Sequence, residues 1–163
     1  MERDSRPALV LFGTSMVDCR MRKEVQRAMA RIIDIEGIGP HYRQVLKEKA
    51  SITTTEQLLE AAATPKGREE LESKTGIGGK LILEWANLAD LFRIVGVGEE
   101  YSDLLEEAGV DTVVELAKRN AENLFEAIKE ANDKKALVRR LPTQKQVSDW
   151  IAQAKKLPRA LTY

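Results

Sequence analysis

The sequence predicts an all-α protein of two similar helical units packed against each other as a pseudo-twofold globule. Three observations carry this. Apolar residues recur at helical spacing from Arg31 onward, helix caps punctuate the chain at short intervals, and one pattern of glycines, apolar residues and caps occurs twice. No segment alternates with period two for long enough to make a strand. Aromatic residues, at 5%, are too few for a typical β-sandwich.

In chain order, residues 1–28 are set apart as an N-terminal extension, and two readings of them stand side by side. Met21, Val25, Met29 and Ile32 fall at helical spacing, which suits a short amphipathic helix to Ile33. Alternatively translation starts at Met29, because Lys23-Glu24-Val25 can be encoded by a purine-rich run resembling a ribosome-binding site. Gly37-Ile38-Gly39-Pro40 is a tight turn, with Pro40 at the first position of a helix that should bury Tyr42, Val45 and Leu46. Thr54 with Gln57 is a capping box for the next helix, and Thr64-Pro65 opens another that runs to Gly76. A second glycine turn, Gly76-Ile77-Gly78-Gly79, precedes a long helix with Ile82, Trp85, Leu88 and Phe92 on one side. Gly96-Val97-Gly98 is the third turn. After it come a helix closed by Gly109, one capped by Thr112 with Glu115, one from about Asn120, one from about Asp133, and a last from Thr143 to Leu157.

The repeat sets the domain plan. Gly37, Gly39, Tyr42, Val45 and Leu46 match Gly96, Gly98, Tyr101, Leu104 and Leu105 at one constant offset. Ile52, Thr54 and Leu58 match Val110, Thr112 and Leu116 at an offset one residue shorter, and each half ends on a tryptophan helix, with Trp85 and Trp150. The expected units are residues 29–94 and 95–158, with 159–163 as a C-terminal tail. Both tryptophans lie among aliphatic residues, which makes them core anchors rather than stacking platforms.

Composition narrows the function. No apolar run approaches the roughly 20 residues that span a bilayer, so the expectation is a cytoplasmic protein without a membrane partner. One cysteine, Cys19, and one histidine, His41, offer neither a disulfide nor a zinc ligand set. A base beside a nucleophile, clustered ligands and a phosphate-cradling loop with its lysine are all missing. No catalytic residue, metal, cofactor or small-molecule substrate is therefore assigned, and the chain is expected not to be an enzyme. Basic and acidic residues balance at 26 each, against a strong general affinity for polyanions. The balance hides an asymmetry: residues 95–129 hold nine acidic and three basic side chains, residues 130–163 three acidic and eight basic.

An apolar-Gly-apolar-Gly turn between helices is the mark of a helix-hairpin-helix motif. Its glycines admit positive φ and close approach, and the N–H groups opening the next helix favour an anion. The nucleic-acid-binding candidates are accordingly Gly37, Ile38, Gly39 and Arg43 at the first turn and Gly76, Gly78 and Lys80 at the second. Arg139 and Arg140 make the strongest basic patch beyond the turns. Glu99 and Glu100 make the third turn unfit for phosphate. The partners this suggests are the DNA or RNA backbone, contacted weakly and without sequence preference, or else another protein.

Ile35-Glu36-Gly37-Ile38-Gly39-Pro40, Ile52-Thr53-Thr54-Thr55-Glu56-Gln57-Leu58-Leu59, Leu83-Glu84-Trp85-Ala86-Asn87 and Gly96-Val97-Gly98-Glu99-Glu100-Tyr101 together resemble a bacterial domain-of-unknown-function family, number 4332, from about Ile32 to Trp150. The resemblance implies tandem helix-hairpin-helix folds and no established activity. It also implies a start shortly before the first glycine turn, which agrees with Met29. The Glu99-Glu100 pair departs from helix-hairpin-helix motifs that bind DNA.

Overall fold

A computed structural model describes residues 30–163, and these are helical with no strand among them. The expected helix from Met21 to Ile33 lies almost wholly outside the described residues. Its last part is a single 3-10 turn, Ile32–Asp34, instead of α-helix. Asp34 shapes that turn by accepting the backbone N–H of Arg31 at 3.1 Å and its guanidinium at 3.3 Å. Eight α-helices follow: α1 Pro40–Ala50, α2 Thr55–Ala61, α3 Pro65–Thr75, α4 Gly79–Leu91, α5 Glu99–Glu107, α6 Val113–Ala117, α7 Ala121–Lys135 and α8 Gln144–Ala154.

The caps work as their residue types dictate. Thr54 accepts the N–H of Gln57, whose side chain reaches back to the Thr54 N–H, and Thr143 with Gln146 repeats the arrangement. No separate helix begins near Asp133. Instead α7 runs through to Lys135 and stops where Ala136 turns left-handed. The Asn132 amide then holds the departing chain, accepting the Val138 N–H at 2.9 Å and donating to the Val138 carbonyl at 3.2 Å. Asp133, read as the start of a new helix, lies in the last turn of an old one. In α1 only Leu46 is fully buried, whereas Tyr42 and Val45 are half-buried at the edge of the core.

Helices pack in the same order in each half. α1 meets α3, α2 meets α4 and α3 meets α4, while α5 meets α7, α6 meets α8 and α7 meets α8; α4 and α5 join the halves. Each half has its own buried cluster, one around Leu46, Leu58, Ile82 and Trp85, the other around Leu105, Leu116, Ile128 and Trp150. The one-residue change in offset has a local cause. In the first half the Ile52 N–H returns to the Leu46 carbonyl at 3.1 Å, through left-handed Ser51. In the second the Val110 N–H returns to the Leu105 carbonyl at 2.9 Å through left-handed Gly109, a loop one residue tighter.

A second substitution of parts concerns the start of α2 and of α6. In the first half the Thr55 N–H finds the carbonyl of Ala30 at 3.0 Å. In the second the chain ahead of the glycine turn is already α4, so its carbonyls are engaged within the helix. The buried carboxylate of Asp90 takes their place and accepts the Val113 N–H at 2.9 Å. Asp90 also receives Arg93 at 2.8 Å, and the other arm of that guanidinium donates to the Pro158 carbonyl.

Residues 158–163 return to the first half. Leu161 is buried in the first cluster, and the Thr162 N–H donates to the Ala63 carbonyl at 2.9 Å. Buried Arg68 donates to the carbonyls of Ala62 and Thr162, at 2.9 and 2.8 Å. The chain thus closes a circuit across both cores.

Replacing Trp85 or Trp150 by Ala should cost roughly 3–5 kcal/mol each in denaturant unfolding, because each leaves a large cavity. Asp90→Ala should cost roughly 2–3 kcal/mol in the same measurement, since it strands the Val113 N–H and removes the acceptor of a charged donor.

Candidate nucleic-acid interface

Five helices satisfy their first N–H groups with their own cap side chain: Thr54 for α2, Thr64 for α3, Thr112 for α6, Asn120 for α7 and Thr143 for α8. Three begin instead on a glycine without any side-chain cap: Gly39 for α1, Gly78 for α4 and Gly98 for α5. These three are the glycine turns. Their opening amides are the groups an anion would meet.

The first turn is the most open of them. Gly37 has φ +86°, which L side chains seldom adopt, and Ile38 is buried as a plug beneath the turn. Nothing lies within 4 Å of where a side chain on Gly39 would begin. Pro40 opens α1 without an N–H, and the Arg43 N–H already bonds to the Gly39 carbonyl at 3.0 Å. His41 and Tyr42 therefore present the two unengaged amides of that helix start. The first turn of α1 holds no acidic residue, and Arg43 is exposed and forms no ion pair with another described residue.

The second turn has the same backbone but a different neighbour. Gly76, with φ +71°, ends α3, Ile77 is buried, and Gly78 precedes α4 with open space around it. Lys80 is exposed. The carboxylate of Glu72, however, stands 2.9 Å from where a Cβ on Gly79 would sit, against the free amides of α4. That carboxylate opposes a phosphate there. At the third turn Glu99 and Glu100 occupy the first turn of α5, as their sequence position suggested.

Arg139 and Arg140 are exposed on the connection between α7 and α8. The Tyr101 hydroxyl donates to the Arg140 carbonyl at 3.1 Å, which ties this connection to α5 and its glutamates. Counting back from the two tryptophans, Thr143 before α8 stands where Gly78 stands before α4. Leu141-Pro142-Thr143 thus occupies the place of the second glycine turn in the other half, and the arginine pair directly precedes it. Sequence reasoning passed over this because Leu141-Pro142-Thr143 has no glycine, although the tryptophan register contains the signal. Between the starts of α7 and α8 lies a groove of about 610 Å³, where Lys145 is offset by Glu122 and Asp149.

The junction of the halves is acidic. Burial, with Glu84, Asp111, Asp103 and Glu107 nearby, pushes Glu106 from an ordinary 4.5 to about 7. Asp103 is raised by burial and then by Glu36, which places the residue preceding Gly37 within reach of α5. Among the described residues no group of three or more His, Cys, Asp or Glu is arranged to hold a metal ion. No described helix is long and apolar enough to cross a membrane.

Because the folded state raises the pKa of Glu106, it favours the protonated acid. This contribution to stability is full below the ordinary value and is lost as pH rises through about 7. Unfolding at pH 5 and pH 8 should show a smaller loss of stability at the higher pH for Glu106→Gln than for the natural chain.

No curated protein and no solved structure matches this chain. A family model does, over residues 20–157, which takes in both cores except Leu161 and begins ahead of Met29. That model is described as a domain of unknown function, DUF4332, and the chain belongs to this family.

Proposed function

We propose that this protein is a non-enzymatic helix-hairpin-helix module that binds nucleic-acid backbone weakly and without sequence preference. The observation that carries the reading is the start of α1. It combines a glycine cap with no side chain over it, two unengaged amides, no acidic residue in the first turn, and exposed Arg43 one residue further on. A phosphate diester placed there meets N–H donors and the positive end of the helix dipole, and no base is read. Gly78 and Lys80 supply a second and weaker contact, limited by Glu72. Arg139 and Arg140 offer an exposed basic pair in the other half. A neutral net charge keeps the affinity low.

A second reading, a protein-interaction module that keeps this scaffold, is favoured by the acidic junction of Glu84, Asp103, Glu106 and Asp111, which repels polyanions and suits a basic protein surface.

Titration of labelled duplex and single-stranded DNA, followed by anisotropy at two salt concentrations, separates the two. The expected result is binding at low salt that falls steeply with added salt. Arg43→Glu, or Arg139→Glu with Arg140→Glu, should weaken it by a similar factor for every sequence tested. Absence of binding at low salt would leave the interaction module as the better account.

A further inference from the structure

Trp85 and Trp150 are almost wholly buried, at 1% and 3% exposure, yet neither indole N–H donates a hydrogen bond within the described residues. Both N–H groups also escape the class of sealed, unsatisfied polar atoms, among which no described side chain falls. A donor without a partner among the described residues, and not sealed, keeps a narrow contact with the surface. Each of these N–H groups lies against a glycine turn. Trp85 Nε1 is 3.2 Å from where a Cβ on Gly37 would sit, and Trp150 Nε1 is 3.1 Å from the same point on Gly96. The missing side chain is the window. Each glycine is required twice over, by its positive φ and by the indole behind it.

Only the first window opens beside a helix start whose first turn holds no acidic residue. Tyr42, whose amide is one of the two free donors of α1, also packs its ring edge-on to Trp85, with centroids 5.0 Å apart. The second window has Glu99 and Glu100 on the adjoining helix. From this we infer that the Trp85 indole N–H is a ligand-binding donor. It hydrogen-bonds through the Gly37 window to a non-bridging oxygen of a backbone phosphate seated at the start of α1, while the Trp150 N–H takes no part. This rests on the nucleic-acid reading above and adds to it a side chain that the sequence presents as pure core. The indole N–H is a neutral donor fixed by packing, so it loses no rotamer freedom when it engages.

Two indole N–H resonances in a ¹⁵N correlation spectrum make the inference measurable, with Trp150→Phe identifying which is which. The probe is a short DNA duplex added at low salt to the full chain, with anisotropy run in parallel. The Trp85 resonance should move downfield and saturate with the anisotropy curve, while that of Trp150 stays in place. Trp85→Phe, which keeps a smaller aromatic ring and removes the donor, should weaken binding about three- to tenfold while leaving the helical circular dichroism unchanged. If the duplex binds but the Trp85 resonance stays still, or if both resonances move alike, the inference is overturned and the nucleic-acid reading survives. If nothing binds, both fall. Should Trp85→Phe fail to fold, the resonance shift in the natural chain decides alone.

Discussion

Each half of this molecule is organised by a left-handed glycine with the edge of a tryptophan set against its missing side chain. The contact makes one residue answer to two demands. The backbone must reverse between a short approach and a helix, which calls for positive φ, and the indole comes close enough that a Cβ there would be crowded. With Gly37 and Gly96 in place, Ile38 and Val97 plug the cores from above, and Tyr42 and Tyr101 lean on the same indoles from the side. The remaining helices close around the two tryptophans. The surface property of interest, a helix start with bare amides, is a by-product of the same turn.

The halves reach equivalent ends with different parts. The first brings up extended backbone, so Ala30 supplies the carbonyl that the start of α2 requires. In the second that approach is replaced by a helix, and a buried aspartate supplies the oxygen instead. The ion pair beside each turn is reversed as well, Arg31 with Asp34 in one and Asp90 with Arg93 in the other. Reversal preserves the pair, but it places the carboxylate of the second half where it can reach α6, and the guanidinium where it can hold the returning C-terminal segment. These differences show a constraint on hydrogen-bond completeness, not on residue identity.

Electrostatics then separates turns that share a backbone. All three glycine caps are sterically competent to expose their amides. A carboxylate brought from α3 faces the second, and two glutamates in its own helix face the third, so the first alone is free of an acidic neighbour in its opening turn. On the side facing α5, Glu36 and Asp103 bring negative charge close to the open turn. A polyanion contact there is confined to a narrow patch, which fits weak binding better than an extended groove.

Helical periodicity, threonine caps and the paired glycine pattern made the all-α fold, most helix boundaries and the two tryptophan anchors legible from the residues alone, because each is a local property of the chain. The helix expected from Asp133 misread a terminus, since a charge-rich last turn and a first turn look alike until the left-handed residue that ends the helix is known. The candidate glycines, with Arg43 and Lys80, were legible for the same local reason. Glu72 against Gly79, the arginine pair tied to the acidic helix by Tyr101, the C-terminal segment laid over Arg68, and the indole N–H groups behind the glycines were decided by tertiary structure only. Each depends on residues distant in sequence meeting at a few ångströms, a distance that packing sets and that periodicity does not encode.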